Sequence, residues 1–256
     1  MNASVDTTLP RERQQLILDR LRREGKVVAA DLAQEFRVSE DSIRRDLRDL
    51  AAQGLCRRVY GGALLAVNIP PLDERHAERA ELKRELAKTA LGLVGNDQIL
   101  FIDAGSTNTA LAKMLPENRG LTVVTNAPDV ALAVLGRPGF DVIMLGGKLD
   151  PAIGGAIGSR TVRQAQDIRA DLCFPGVCAI DPERGLWTYD EEETVFKQAI
   201  IEASGETVAI ATPDKLVASA THHTVPITGI AHLVVAVDTD AAVVERYRAA
   251  GVMVHL

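Results

Sequence analysis

The chain has 256 residues, 46% of them hydrophobic and only 4% aromatic, and a formal net charge of −6. That length suits one large domain or a small plus a medium one, with an aliphatic, alanine-rich core of the kind α/β layers have. No apolar run approaches a membrane span, the N-terminal MNASVDTTLP has no basic and no apolar signal region, and Cys56, Cys173 and Cys178 lack partner ligands, so a cytoplasmic chain without membrane, metal or disulfide framework is expected.

In chain order, Leu16, Ile17 and Leu21 fall at helical spacing, and Gly25 is a stop signal. Ala29, Ala30, Leu32, Ala33 and Phe36 make a short second helix. Arg37-Val38-Ser39 is a tight turn, and its serine is a good N-cap. The third helix runs from about Glu40 to Ala52 and stops at Gly54, with Ile43, Leu47 and Leu50 on one face. At about 100° per residue, Arg45 points away from that face. Ser42 and Arg48 flank it, and Arg44 lies nearer the edge. Arginines so placed can read guanine bidentately or clamp phosphate.

A helical hairpin with a solvated charged face would show the same Arg-Arg-Asp. The next stretch of chain favours a DNA reader. Leu55–Val59 reads as a strand, Tyr60-Gly61-Gly62 as a turn and Ala63–Leu65 as a returning strand, a β-hairpin wing. Arg57 and Arg58 on the wing suit flanking phosphates. Residues 11–60 carry a net charge of +3 within a chain of −6. A locally basic module on an acidic body fits a DNA-binding unit with a separate sensor.

This stretch resembles the DNA-binding domain of the DeoR family of bacterial transcription regulators. The resemblance is carried by Val38-Ser39, by Ser42-Ile43-Arg44-Arg45-Asp46-Leu47, by Gly54-Leu55 and by Gly61-Gly62-Ala63. Ser42 stands where the family usually has threonine, and Cys56 where an aliphatic residue is more usual. The resemblance implies a winged helix-turn-helix over residues 11–65 that binds a double-stranded DNA operator, with Ser39, Ser42, Arg44, Arg45, Arg48, Arg57 and Arg58 facing it.

Residues 66–79 contain Pro70-Pro71 and a charged run, so they read as a linker to a second domain over 80–256. His76 within it is expected to be solvated. A helix begins at Ala80. Apolar runs then recur at 99–102, 121–124, 142–145, 172–177, 208–211, 233–237 and 252–254, with helical stretches between them. That alternation predicts a mostly parallel sheet covered on both sides. Ligands of such sheets bind beyond the carboxyl ends of the strands. There the sequence places Asp103-Ala104-Gly105-Ser106-Thr107-Asn108-Thr109, Thr125-Asn126, Gly146-Gly147-Lys148 and Lys215. The first of these is an anion cradle of backbone N–H groups and hydroxyls, and Asp103 could accept from sugar hydroxyls. Each end alone reads equally well as a capped turn; together they suit a small phosphorylated polyol. The adjacent His222-His223 cannot face the same way in a strand, so no metal site is expected.

These residues extend the resemblance. The second half is similar to the DeoR effector domain, itself similar in fold to ribose-5-phosphate isomerase. The resemblance implies that Gly105, Ser106 and Thr107 hold phosphate, that Lys215 faces the ligand, and that Glu193 and Lys197 stand at family positions. One stretch departs: Ala211-Thr212-Pro213-Asp214-Lys215 replaces the frequent Ala-Asp-Ser-Ser-Lys. The expectation is a repressor of a carbohydrate operon, a dimer or tetramer modulated by a sugar phosphate, with no cofactor. The alternatives are a sugar-phosphate isomerase with an accessory DNA domain, for which Asp103 and Glu193 are the candidate bases, and a DNA-bound activator indifferent to small molecules.

Overall fold

A computed structural model gives the fold and describes residues 10–65 and 70–256. Part of the expected linker, residues 66–69, lies outside them. The chain divides into two compact units, one of residues up to 69 with Ala218–Thr221, the other of the remainder.

The first unit comprises α1 (Pro10–Glu24), β1 (Lys26–Val28), α2 (Ala29–Phe36), α3 (Glu40–Ala52), β2 (Cys56–Val59) and β3 (Gly62–Leu65). Its strands form one antiparallel sheet in the order β1-β3-β2. Ile17, Leu21, Leu32, Ile43, Leu47 and Leu50 meet in its core. On α1 the buried partner of Ile17 is Leu18, whereas Leu16 is half exposed, contrary to the sequence expectation. The turn after α2 closes through Arg37 at φ 53°, whose N–H and that of Val38 bond back to Gln34 and Ala33, a left-handed helix end without glycine. Ser39 caps α3 by accepting from the Ser42 N–H at 3.2 Å. Cys56 behaves as the small apolar residue its position calls for: the thiol is buried and donates to the Leu47 carbonyl, and burial, partly offset by Arg58, raises its pKa. The sheet is tight where β3 crosses β1. A Cβ on Gly62 would lie 2.0 Å from the Val27 carbonyl oxygen.

The second unit begins with α4 (Leu72–Ala77), inside the stretch expected to be a linker, and α5 (Ala80–Leu91). The pair Pro70-Pro71 only delays that helix. It is fixed by its own side chains: Arg75 donates to the Ala152 carbonyl at 2.7 Å, and His76 Nε2 lies 2.7 Å from an Asp129 carboxylate oxygen rather than in open solvent. Then come β4 (Ile99–Ile102), α6 (Ser106–Met114), β5 (Leu121–Thr125), α7 (Pro128–Val134), β6 (Phe140–Met144), β7 (Lys148–Asp150), β8 (Gly155–Ile157), α8 (Ser159–Gln166), β9 (Ala170–Phe174), β10 (Ala179–Asp181), β11 (Gly185–Thr188), α9 (Glu191–Glu202), β12 (Ser204–Ile210), β13 (His222–Val225), β14 (His232–Val234), α10 (Ala241–Ala249) and β15 (Met253–His255).

Seven strands form a parallel sheet in the order β15-β14-β12-β9-β4-β5-β6. Alternation along each strand feeds two cores. Leu100, Ile102, Val123, Leu172, Phe174, Val208 and Val234 pack beneath α5, α6 and α7, while Phe101, Val124, Cys173, Ala209 and Leu233 pack beneath α8, α9 and α10. Burial on both faces is why these strands read as unbroken apolar runs. The direction of strand succession reverses between β4 and β9, so their carboxyl ends open a crevice at the switch point. Two small antiparallel additions, β7-β8 and β10-β11-β13, have no counterpart in the sequence expectations. Among the described residues no helix is long and apolar enough to cross a membrane.

Candidate functional site

In the first unit, α3 turns Arg45 and Arg48 outward, and β2 exposes Arg57 and Arg58. Among the described residues none of these four makes an ion pair. Arg44 differs. It is exposed but bound to its own helix, 2.8 Å from Glu40 and 3.3 Å from Asp41. Surface pairs of this kind are worth at most about 1 kcal/mol, so a phosphate can draw the guanidinium away. Ser39 and Ser42 are engaged with each other at the cap, their hydroxyls 3.0 Å apart. The wing tip carries Tyr60, fully exposed, which in the sequence reads only as part of a turn. Holding α3 in place is a buried ion pair that periodicity could not show. Arg13 Nε on α1 donates to an Asp46 carboxylate oxygen at 2.6 Å, both side chains under a tenth exposed.

In the second unit the switch-point crevice is built around Asp103. Its side chain is buried and hydrogen-bonded through both oxygens. One oxygen accepts from the Ala104 N–H at 2.7 Å; the other accepts from the Gly176 N–H at 2.8 Å and from the Lys197 ammonium. Lys197 also lies 2.9 Å from Glu193. Burial opposes its charge, but the Asp103 and Glu193 carboxylates outweigh that and hold its pKa above the usual lysine range. The strand-end loops can approach this closely because Gly176 has no side chain, where a Cβ would lie 2.4 Å from the Ala104 carbonyl oxygen. The apolar run continues to Val177, but Pro175-Gly176, a standard turn signal, ends β9 at Phe174.

The expected ligand residues separate into two sets. Thr109, Thr125 and Asn126 are buried and committed to the loops. Thr109 donates to the Gly105 carbonyl, Thr125 accepts from the Ala127 N–H, and Asn126 accepts from Ala104 and donates to Ala156. Asp103 and Glu193 are committed in the same way. Asn108, not singled out from sequence, ties the β4 end to β9 by donating to the Asp103 and Phe174 carbonyls. Gly105, Ser106, Thr107, Gly146, Gly147 and Lys215 are at least partly open. Gly105 caps α6 at φ 152° with no side-chain cap, a conformation close to glycine-only. The first-turn N–H groups of α6 are therefore left without a side-chain cap at the carboxyl end of β4.

Cys178 and Tyr189 join this neighbourhood. Burial, and then Glu193, push the Cys178 thiol up to about 12, against Lys197 and Lys215. Burial, then Cys178, Asp214 and Glu193, push the Tyr189 phenol up to about 12. Both are neutral donors near neutral pH, and neither is poised as a nucleophile. His222 and His223 alternate on β13, with His223 edge-on to Trp187. Among the described residues no group of His, Cys, Asp and Glu is arranged to hold a metal ion.

The glycerol-3-phosphate regulon repressor of Escherichia coli (strain K12) is 37% identical over 191 residues, 73% of this chain and 75% of that protein. The lactose phosphotransferase system repressor of Lactococcus lactis is 30% identical over 194 residues, 73% of this chain and 76% of that one. Among solved structures, ribose 5-phosphate isomerase A from Neisseria gonorrhoeae aligns with 53% of this chain and 52% of its own, at 16% identity and a TM-score of 0.39. Residues 13–68 match the DeoR-like helix-turn-helix domain and residues 78–237 the DeoR C-terminal sensor domain. The chain therefore belongs to the DeoR family of transcriptional regulators.

Proposed function

We propose that this regulator is a cytoplasmic, homo-oligomeric repressor of a carbohydrate operon whose grip on operator DNA is set by a phosphorylated sugar or polyol. The first unit reads DNA and the second senses the metabolite. The observation that carries this reading is the uncapped α6 N-terminus at the switch point, in the same unit as Lys215. Relatives named for glycerol 3-phosphate and for a phosphotransferase system support the same ligand class. A single winged unit reads few bases, which favours an oligomer on paired half-sites. Isomerase chemistry is disfavoured by the bonding of the candidate bases. Asp103 accepts from two N–H groups and the Lys197 ammonium, and Glu193 pairs with the same ammonium, so both candidate bases are tied into structural bonds.

On the DNA side, Arg45→Ala should cost about 1–3 kcal/mol on an operator selected in vitro and relax preference at one base pair. Arg57→Ala should weaken specific and random DNA alike and flatten the salt dependence by about one unit of slope. Fluorescence anisotropy across a salt series measures both, and unchanged binding by the Arg44/Arg45 double variant would exclude α3 as the reading helix.

On the sensor side, a phosphate ester uses N–H groups, hydroxyls and an ammonium together, while its neutral parent uses only part of that set. Phosphorylated sugars or polyols should bind at least about tenfold tighter than their parents, about 1.4 kcal/mol. Ser106→Ala and Lys215→Ala should erode that difference. If ligand lowers operator affinity, operator must lower ligand affinity by the same factor. Calorimetry over triose, pentose and hexose phosphates and glycerol 3-phosphate tests this. Equal affinity for neutral and phosphorylated forms contradicts it.

A further inference from the structure

The sensor unit carries a cluster of cations beside the crevice. Asp214 sits between two of them, paired with the Arg79 guanidinium through one oxygen and 3.4 Å from the Lys215 ammonium through the other. All three side chains are between a third and a half exposed, so solutes can reach them. Lys83 donates to the Arg75 carbonyl nearby, and its pKa is lowered by burial, with Lys215 and Arg75 contributing against Glu78 and Asp214. Asp214 is thus flanked by the Arg79 and Lys215 cations, and Lys83 beside them feels Glu78, Lys215, Asp214 and Arg75. Burial disfavours the Asp214 charge, yet a Thr212 hydrogen bond, Lys215 and Arg79 outweigh it and hold its carboxyl below the usual aspartate range. It therefore stays ionised, and a second anion must displace it rather than wait for its protonation.

Arg79 is also the joint between α4 and α5, at φ 50°. A non-glycine residue persists there only when its surroundings over-determine it, and the Asp214 pair supplies such a tether. On its far side α4 packs against α6, the helix whose N-terminus forms the cradle. In sequence, α4 comes six residues after the wing, with 66–71 between them.

We infer that Asp214 is a built-in placeholder for the effector's anionic group and that Arg79 is a further effector-recognition residue, exchanging Asp214 for the ligand's phosphate when the site fills. This rests on the sugar-phosphate reading above. An incoming phosphate at Lys215 repels Asp214 and offers Arg79 a bidentate partner of higher charge. The joint at the start of the sensor then loses its tether. Asp214 stands next to Lys215 in sequence, with its carboxylate 3.4 Å from the ammonium, so an anion arriving at the lysine competes with it directly.

The test is calorimetry and melting of the full chain with inorganic phosphate and with glycerol 3-phosphate. Asp214→Asn should bind inorganic phosphate at least tenfold tighter than the wild type, and Asp214→Ser should do the same. Arg79→Gln should bind it at least tenfold more weakly, with Arg79→Lys recovering much of the loss. Asp214→Asn binding no tighter than wild type, Arg79→Gln binding as well as wild type, or no binding by any of these proteins, overturns the inference. If Ser106→Ala still weakens phosphate esters while Asp214→Asn changes nothing, the placeholder is wrong and the sensor reading stands. If neutral sugars bind as well as their esters, the sensor reading is itself wrong.

Discussion

Lys197→Met is expected to destabilise the sensor unit by about 3–5 kcal/mol, because it strips the shared ammonium from two buried carboxylates. The lysine side chain is 0% exposed, with Asp103 and Glu193 at 1% and 8%. Asp103 would keep its two N–H donors, but Glu193 would keep only the weak Cys178 thiol at 3.8 Å. For a unit of this size the loss corresponds to about 6–20 °C in melting temperature. Adding Glu193→Gln to Lys197→Met should recover part of it by removing the orphaned charge. The pH dependence has a defined sign. The folded-state pKa of Lys197 is raised, so its contribution is complete below the ordinary lysine pKa of about 10.4 and fades only as pH climbs through the folded value. Lys197 itself therefore adds no pH dependence between pH 6 and pH 8, and any smaller cost at pH 6 would come from protonation of the orphaned Glu193. Urea denaturation at both pH values measures the cost, and a value under about 1 kcal/mol would show that the ammonium does not hold the crevice together.

Asp46→Ala should strongly weaken operator binding although Asp46 is buried within the first unit. It leaves the Arg13 guanidinium buried without the carboxylate that lies 2.6 Å from it, at an expected cost of about 3–5 kcal/mol. It also removes an acceptor from Gln14, which bridges Asp46 and Asp49 at 3.2 and 3.3 Å. At about 0.05–0.15 kcal/mol per residue, a winged unit of this size holds only about 3–8 kcal/mol in total. The loss removes a large share of that, so the first unit of the variant should melt well below that of the wild type. Circular dichroism melting and anisotropy on one operator fragment check both halves of this expectation. Full operator affinity at 37 °C with an unshifted melting curve would refute it.

Local chemistry makes much of the architecture legible. A serine cap, three apolar residues on one face and Gly54 delimit α3 within the sequence itself, and the structure returns Glu40–Ala52. The parallel strands announce themselves because both faces are buried, so the sheet and its helices emerge from apolar runs alone. What stays hidden depends on chain closure. Lys26–Val28 is three residues long and becomes a strand only because β3 pairs with it from far along the chain. Arg13 and Asp46 are 33 residues apart, Asp103 and Lys197 are 94 apart, and no periodicity relates either pair. At the crevice, residue type is legible but its use is not. Thr125 and Asn126 look like ligand groups, yet their polar atoms are taken up by loop N–H and carbonyl groups.

The crossing of β3 over β1 bears on which sequences this wing can reach by mutation. Every single-base change of a glycine codon that alters the residue adds a Cβ, and at Gly62 any Cβ meets the Val27 carbonyl oxygen at 2.0 Å. That site has no neutral neighbours in sequence space. One step earlier, Gly61 has φ +80° and nothing within 4 Å of where a Cβ would go. Its restriction is torsional, which asparagine and aspartate tolerate better than other side chains. Variation at the wing tip is therefore open at 61 and closed at 62, and a library meant to alter DNA preference loses nothing by leaving Gly62 fixed.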